Sequence, residues 1–264
     1  GCAMTDSATD ITSIRREPPP LVPVVVAARD ELTPRLLQLT FEGDGLATMA
    51  APEPASSVRL LVPSPGTDEL VTPKWNGNEF LLDDGTRPAL RTFTPLRVDR
   101  DAGRLDLQIV RHPGGAVSTW AEHATLGAEA AISGPGSGYT IDDDAERFIL
   151  LGDETAIPAI SDLLGVIPHD AAVEVHIEIV QPDARLPLSE YPNASVTWHV
   201  GDEGAVPGGR LVEVVHGFDG LLETTRLWAA GEAASMHAIR KHVFKSLHVP
   251  RSQATIRGYW KPAR

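Results

Sequence analysis

A single cysteine, Cys2, is all the thiol chemistry this 264-residue chain carries. One cysteine excludes an intrachain disulfide and a four-cysteine iron–sulfur cluster, so any redox chemistry must come from a bound organic cofactor. Base is also scarce: 23 Lys and Arg stand against 36 Asp and Glu, a formal net charge of -13. That balance gives no overall attraction to nucleic acid or to an anionic membrane, although a small local basic site is compatible with it. Long apolar runs are missing too. The longest, Leu21 to Ala28, is proline-flanked and too short to span a bilayer, and no signal-peptide hydrophobic region precedes it. These absences predict a cytoplasmic protein with no membrane insertion and no nucleic-acid partner. Gly1 to Ala3, ahead of Met4, read as an expression leader.

What is present is a chain 42% hydrophobic and 22% charged, at the size where cores begin to divide, which predicts two domains. Residues 1–17 are polar and aperiodic and read as a disordered tail ended by Pro18, Pro19 and Pro20. Over 18–144 short apolar runs (Leu36 to Phe41, Val58 to Val62, Leu105 to Val110) are punctuated by proline and glycine. The alternation Leu105, Leu107, Ile109 has period two, so this half is predicted to be a small antiparallel β-barrel. After the acidic turn Asp142 to Asp144, over 145–264, strands alternate with helices. Strands are predicted at Phe148 to Leu151, Val173 to Val180 (near a sheet edge, with Glu174, His176 and Glu178 on a wet face), Val196 to Val200 and Leu227 to Ala230. Helical stripes fall at Ile160, Leu163, Leu164 and at Met236, Ile239, Val243, Leu247. This alternation implies an α/β domain with a parallel sheet.

Arg91, Thr92, Phe93 and Thr94 offer a cation for phosphate, an aromatic face for a planar ring and a hydroxyl for a polar ring edge, or else form an ordinary barrel strand. Some twenty residues on, His112 to Trp120 places Gly114 and Gly115 before a helix start, where backbone amides and the Ser118 hydroxyl can approach a pyrophosphate. A glycine pair of this kind can also be a plain turn.

In order, these segments resemble the Arg-x-(Tyr)-(Ser/Thr) and Gly-x-x-Ser flavin signatures of the ferredoxin-reductase superfamily. More closely, Arg91 to Arg97, His112 to Ala121, Leu151 to Ile160, Ala230 to Ala233 and Gly258 to Lys261 resemble the siderophore-interacting proteins, from about residue 20 onward. The resemblance implies a Greek-key barrel that binds FAD, a domain like those that bind NAD(P)H, and a carboxy-terminal segment returning toward the flavin. By it, Arg91 pairs with the FAD pyrophosphate, Phe93 lies against the isoalloxazine and Thr94 bonds near its reactive edge. Gly115, Ala116 and Ser118 close on the phosphates, with Thr92, His112 and Trp120 in the same two motifs. Phe93 departs from the usual tyrosine, keeping the stacking surface without the hydroxyl.

The resemblance places the reductant, NADH or NADPH, at Gly152, Asp153, Glu154, Thr155 and Ala156, with Gly231 and Glu232. The two adjacent acids read equally as helix caps. Beyond the second strand, Asp183 suits ribose hydroxyls and Arg185 a 2′-phosphate, which leaves the choice of dinucleotide open. Reduced ferredoxin is the alternative donor. For an anionic ferric siderophore the family's basic positions match Arg59 and Lys261, beside Trp260, each otherwise a solvated surface residue. After the Gly-Pro-Gly turn, where many relatives carry a further base, stand Ser137 and Gly138. His237, His242 and His248 lack ligand spacing, so iron is expected as part of the substrate and no protein metal site is predicted. No Gly-x-Ser-x-Gly nucleophile motif occurs, and no side chain is assigned an acid–base role. The expected product is a monomeric FAD-dependent ferric-siderophore reductase. The alternatives are a general flavin reductase, the reductase component of an oxygenase, or a siderophore carrier without turnover.

Overall fold

The computed structural model describes residues 17–262, so all of the expected tail but Glu17 lies outside the described residues. Seven strands form one curled antiparallel sheet: β1 (Val22–Thr33), β2 (Leu36–Glu42), β3 (Val58–Val62), β6 (Ala89–Phe93), β7 (Leu96–Asp99), β8 (Arg104–Val110) and β9 (Glu129–Ser133). A two-stranded hairpin, β4 (Lys74–Trp75) with β5 (Phe80–Leu81), branches off it. The spatial order is β6-β3-β9-β1-β2-β8-β7, with edges β6 and β7 in no ladder with each other, so the expected barrel is a half-barrel. Helix α1 (Ala116–His123) packs against the edge strand β6 and against β8, which lies one in from the other edge. The period-two reading of β8 holds: Leu105, Leu107 and Ile109 point inward against Leu37, Leu39 and Phe41 of β2. Each large side chain buried in this way contributes about 1.5–3 kcal/mol.

The second half is a parallel sheet of order β12-β11-β10-β13-β14, built from β10 (Arg147–Asp153), β11 (Ala172–Ile179), β12 (Ala194–Val200), β13 (Thr225–Glu232) and β14 (Ala254–Trp260). Helices α2 (Ile157–Leu164), α3 (Gly209–His216) and α4 (Ala233–Lys241) connect them. Pro158 sits in the first turn of α2, where no amide donor is needed. Strand β11 lies one in from the edge and buries Val173, Val175, Ile177 and Ile179. Its other face, expected to be wet, is half-buried, because Glu178 takes up the start of α3 and His176 meets His199 at 2.8 Å. The α4 stripe Met236, Ile239, Val243 is buried, and Leu247 packs beside it after a π-turn at His242–Ser246.

The two halves interlock. Ala55, from the barrel half, lies in the core of the α/β half, with Tyr139 and Ile141 packed beside it. Arg35, in the β1–β2 turn, donates to both oxygens of Glu154 at 3.2 and 3.1 Å across 119 residues of sequence.

Candidate functional site

A cleft of about 1390 Å³ runs between the two sheets, bounded by the end of β6, the β8–α1 loop, the carboxyl ends of β10 to β12 and the tail of β14. On the barrel side it is lined by Arg91, Thr92, Phe93, Thr94, His112, Gly115, Ala116 and Ser118, which were all expected there. Arg91 and Phe93 share one face of β6, opposite Leu60 and Val58 of β3, with Thr92 on the other. Arg91 is exposed, donates to the Leu90 carbonyl at 2.9 Å and meets no carboxylate among the described residues. Thr94 is 5% exposed, yet its buried Oγ1 has no hydrogen-bond partner among the described residues.

Gly115 caps α1, and a side chain there would strike the His112 imidazole, so only glycine lets that ring lie over the helix start. Ser118 Oγ accepts from the His112 amide at 3.1 Å and thereby shapes the loop, keeping its own hydrogen for another acceptor. The first-turn amides of Ala116, Val117 and Ser118 have no acceptor within the helix and point out of its start. Trp120, expected among the FAD-binding residues, is placed apart from the others. It does not line the cleft; α1 turns it onto the barrel core, stacked 10° from the plane of Phe41 at 6.4 Å.

On the α/β side, carboxylates fill the helix starts. Asp153 is buried and accepts four bonds: Thr155 N at 3.0 Å, Thr155 Oγ1 at 2.5 Å, Glu232 N at 3.0 Å and Trp260 Nε1 at 2.8 Å. Burial pushes its carboxyl above the usual carboxylate range, and these donors oppose the shift. Glu154 accepts from Val180 N at 2.9 Å and from Arg35. Glu178 accepts from Gly208 N at 2.6 Å and Arg210 N at 2.8 Å at the start of α3, and Glu232 from Ala234 N and Ser235 N at the start of α4.

The capping reading therefore describes Asp153, whereas Glu154 meets the Val180 amide and Arg35 and caps no helix. Asp153, Glu154 and Thr155 line the cleft, whereas Gly152, Ala156, Gly231 and Glu232 lie behind it in strand–helix packing. A Cβ on Gly231 would come within 2.6 Å of Asp153 Oδ2, so this glycine makes room for the carboxylate. Gln181 lines the cleft; Arg185 instead lies 5.9 Å over the Trp198 ring.

Trp260 and Lys261 line the cleft from β14. Trp260 is held at both ends, by its bond to Asp153 and by the His112 ring at 6.1 Å. Arg59 is exposed on β3, across from Thr92 and Ser133, and is not brought to the cleft wall. A cation the sequence reading missed stands nearer the Gly-Pro-Gly turn: Arg257 of β14 reaches the Ser137 carbonyl at 3.5 Å. Tyr259 was missed as well. It lines the cleft with a buried hydroxyl that lacks a hydrogen-bond partner among the described residues, and burial pushes its phenol up to about 12. Arg257 is placed only by the pairing of β14 with β13, whereas Tyr259 sits within the Gly258 to Lys261 motif, of which the sequence reading used only Trp260 and Lys261. Among the described residues no cluster of three or more His, Cys, Asp or Glu could hold a metal ion, and no helix is long and apolar enough to cross a membrane.

An unpaired cation, free helix amides, a half-buried aromatic face and two orphaned hydroxyls within one cleft fit a phosphate-bearing planar cofactor such as FAD. The comparisons agree. Residues 25–139 match the siderophore-interacting FAD-binding domain, and residues 145–263 match the siderophore-interacting protein family. The chain belongs to that family, with the two-domain fold of ferredoxin-reductase-like flavoproteins and FAD as cofactor. It is 31% identical over 259 residues to the uncharacterized protein Rv2895c of Mycobacterium tuberculosis, covering 93% of this chain and 92% of that one. It is 28% identical to the mycobactin import ATP-binding/permease protein IrtA of Mycolicibacterium smegmatis over 90% of this chain, but spans only 26% of that protein's length. The ferric vibriobactin reductase ViuB of Vibrio cholerae is 25% identical, with 86% and 84% of the two chains covered. The crystal structure of a siderophore utilization protein from T. fusca superimposes with a TM-score of 0.81 at 27% identity, over 94% of this chain and 95% of that one.

Proposed function

We propose that this protein reduces ferric siderophores with FAD and so releases ferrous iron, with NADH or NADPH as the electron donor, as a cytoplasmic monomer. The observation that carries the reading is the pair of partnerless hydroxyls, Thr94 Oγ1 and Tyr259 OH, in a cleft that also presents an unpaired Arg91. Such groups are costly to bury unless a ligand answers them. Bound there, FAD supplies acceptance of a hydride and donation of single electrons. The chain's own residues hold and orient it: Arg91 and the first-turn amides of α1 meet the phosphates, Phe93 covers a ring face and Thr94 meets a polar ring edge. Lys261 and Arg59, with Arg257 added by the structure, hold the anionic ferric complex. The ferric siderophore is substrate, and the weaker hold on ferrous iron lets the metal leave.

A second reading of the donor is favoured by the carboxylates that fill the starts of α3 and α4 and the Val180 amide. A dinucleotide pyrophosphate normally rests on such free amides, and here few are free on the α/β side. Reduced ferredoxin needs no such seat. The test is anaerobic mixing of the flavin-loaded protein with NADH, NADPH or reduced ferredoxin while the flavin absorbance is followed. Bleaching by a dinucleotide supports the first reading; bleaching by ferredoxin alone supports the second. A preparation that takes up no flavin would make the protein a carrier without turnover.

A further inference from the structure

Arg35 stands in the tight turn between β1 and β2, and its backbone is pinned from two sides. Its amide donates to Thr33 Oγ1 at 3.1 Å, and its carbonyl accepts from the Arg111 amide at 2.7 Å. From this anchor the side chain crosses to the α/β half, where Nε donates to both oxygens of Glu154 at 3.2 and 3.1 Å. Only Nε is used. The two terminal nitrogens of the guanidinium donate to no acceptor among the described residues.

Glu154 follows the end of β10 and is 8% exposed, and its Oε1 also accepts from the Val180 amide at 2.9 Å, one residue past β11. Arg35, Glu154 and Val180 all line the cleft. The other acids of this side satisfy the first turns of helices, Glu178 at α3 and Glu232 at α4. Glu154 caps no helix, and its partners come from both halves of the chain. A guanidinium and a backbone amide converging on one set of oxygens suit a carboxylate or a phosphate alike. The place is the crevice beyond the carboxyl ends of the paired parallel strands β10 and β11, where open α/β sheets take their ligands. This is an anion seat that the chain fills with its own carboxylate.

We propose that Glu154 is a specificity-determining residue for the electron donor: it is a resident anion on Arg35 and the Val180 amide, and a dinucleotide phosphate must displace it to be held there. The inference rests on the reading that a dinucleotide donates the electrons, and it deepens that reading by naming the residue that keeps the dinucleotide's hold weak. With the carboxylate gone, Arg35 and the amide are free to meet phosphate.

The test is calorimetric titration of the whole flavin-loaded protein with NAD+, NADP+ and inorganic pyrophosphate, for the parent, Glu154→Ala, Glu154→Gln, Glu203→Ala and the double variant Glu154→Ala with Arg35→Ala. Freeing one charge-assisted contact predicts that Glu154→Ala binds pyrophosphate and at least one dinucleotide about 10-fold more tightly. Glu154→Gln keeps an oxygen for Val180 and removes only the charge, so it should gain less, in the same direction, even if Glu154→Ala fails to fold. The gain should vanish in the double variant. Glu203 is an exposed acid of the same cleft, and its removal changes the net charge equally; Glu203→Ala should bind as the parent does. Parental affinity in both Glu154 variants, an equal gain in Glu203→Ala, or a gain that survives loss of Arg35 would overturn the proposal. Tighter pyrophosphate without either dinucleotide would overturn Glu154's part in donor choice. A parent that takes up no FAD overturns the reading of the barrel side alone, because the same titrations of the apoprotein then decide on Glu154.

Discussion

The indole Nε1 of Trp260 donates to the Asp153 carboxylate at 2.8 Å, joining the last strand of the chain to the first strand of the α/β half across 107 residues. The bond links a residue that the resemblance assigns to substrate with one that it assigns to the reductant. Its other consequence is stability. Trp260→Phe removes one of four donors from a buried carboxylate and should cost about 1–3 kcal/mol. Asp153→Ala should cost more, because it strands the amides of Thr155 and Glu232 as well as the indole. Denaturant unfolding, with unchanged m-values, measures both.

Arg91→Ala should weaken FAD binding about 10- to 100-fold, since a charge-assisted contact to phosphate contributes roughly 1.5–3 kcal/mol. A conservative change at Phe93 should do less. Flavin retained after dialysis is the readout, and equal retention by Arg91→Ala and the parent would remove Arg91 from the site.

Much of this half was legible in the sequence because its signals are local. Period-two strands, a glycine pair before a helix and Arg91 to Thr94 sit in short windows, and those windows line the cleft. Trp120 misled because motif membership says nothing about which way a helix turns a side chain. Helix α3 was missed because its eight residues, set between Gly208 and Gly217, carry the stripe Leu211, Val212, Val214, Val215 through only two turns. The acids of the α/β half were ambiguous for a different reason. A carboxylate at a strand end reads the same whether it caps a helix or meets a ribose, and only the amide partners of Asp153, Glu178 and Glu232 decide.

Asp162 gives a pH signature. It is half-buried on α2, and burial raises its carboxyl to about 6, opposed by a bond from the Ala55 amide. The folded state therefore binds its proton more tightly than the unfolded chain does. Stability from this group is present below the unfolded value near 3.8 and is lost as pH rises through about 6. Asp162→Asn keeps an oxygen for Ala55 and should stabilise the protein at pH 7 by about 1–2 kcal/mol, after discounting for partial exposure. It should also flatten the decline between pH 4 and about 6. Thermal melts of both proteins across that range test it.

Lys261→Glu should slow the reduction of anionic ferric complexes several-fold and leave neutral complexes nearly unaffected, and salt should slow the parent in the same way. Arg257→Glu and Arg59→Glu should act more weakly, since neither residue lines the cleft. Rates with paired anionic and neutral complexes, measured on flavin reduced beforehand, separate this effect from the donor step.

The most direct measurement isolates the reaction itself. Flavin-loaded protein is photoreduced without any biological donor, mixed anaerobically with a ferric siderophore, and followed by flavin absorbance together with a ferrous-specific chelator. Each iron takes one electron, so the account predicts reoxidation of the flavin in step with ferrous iron, a pair of ferric complexes consumed per flavin. Flavin that stays reduced beside an intact ferric complex would contradict it.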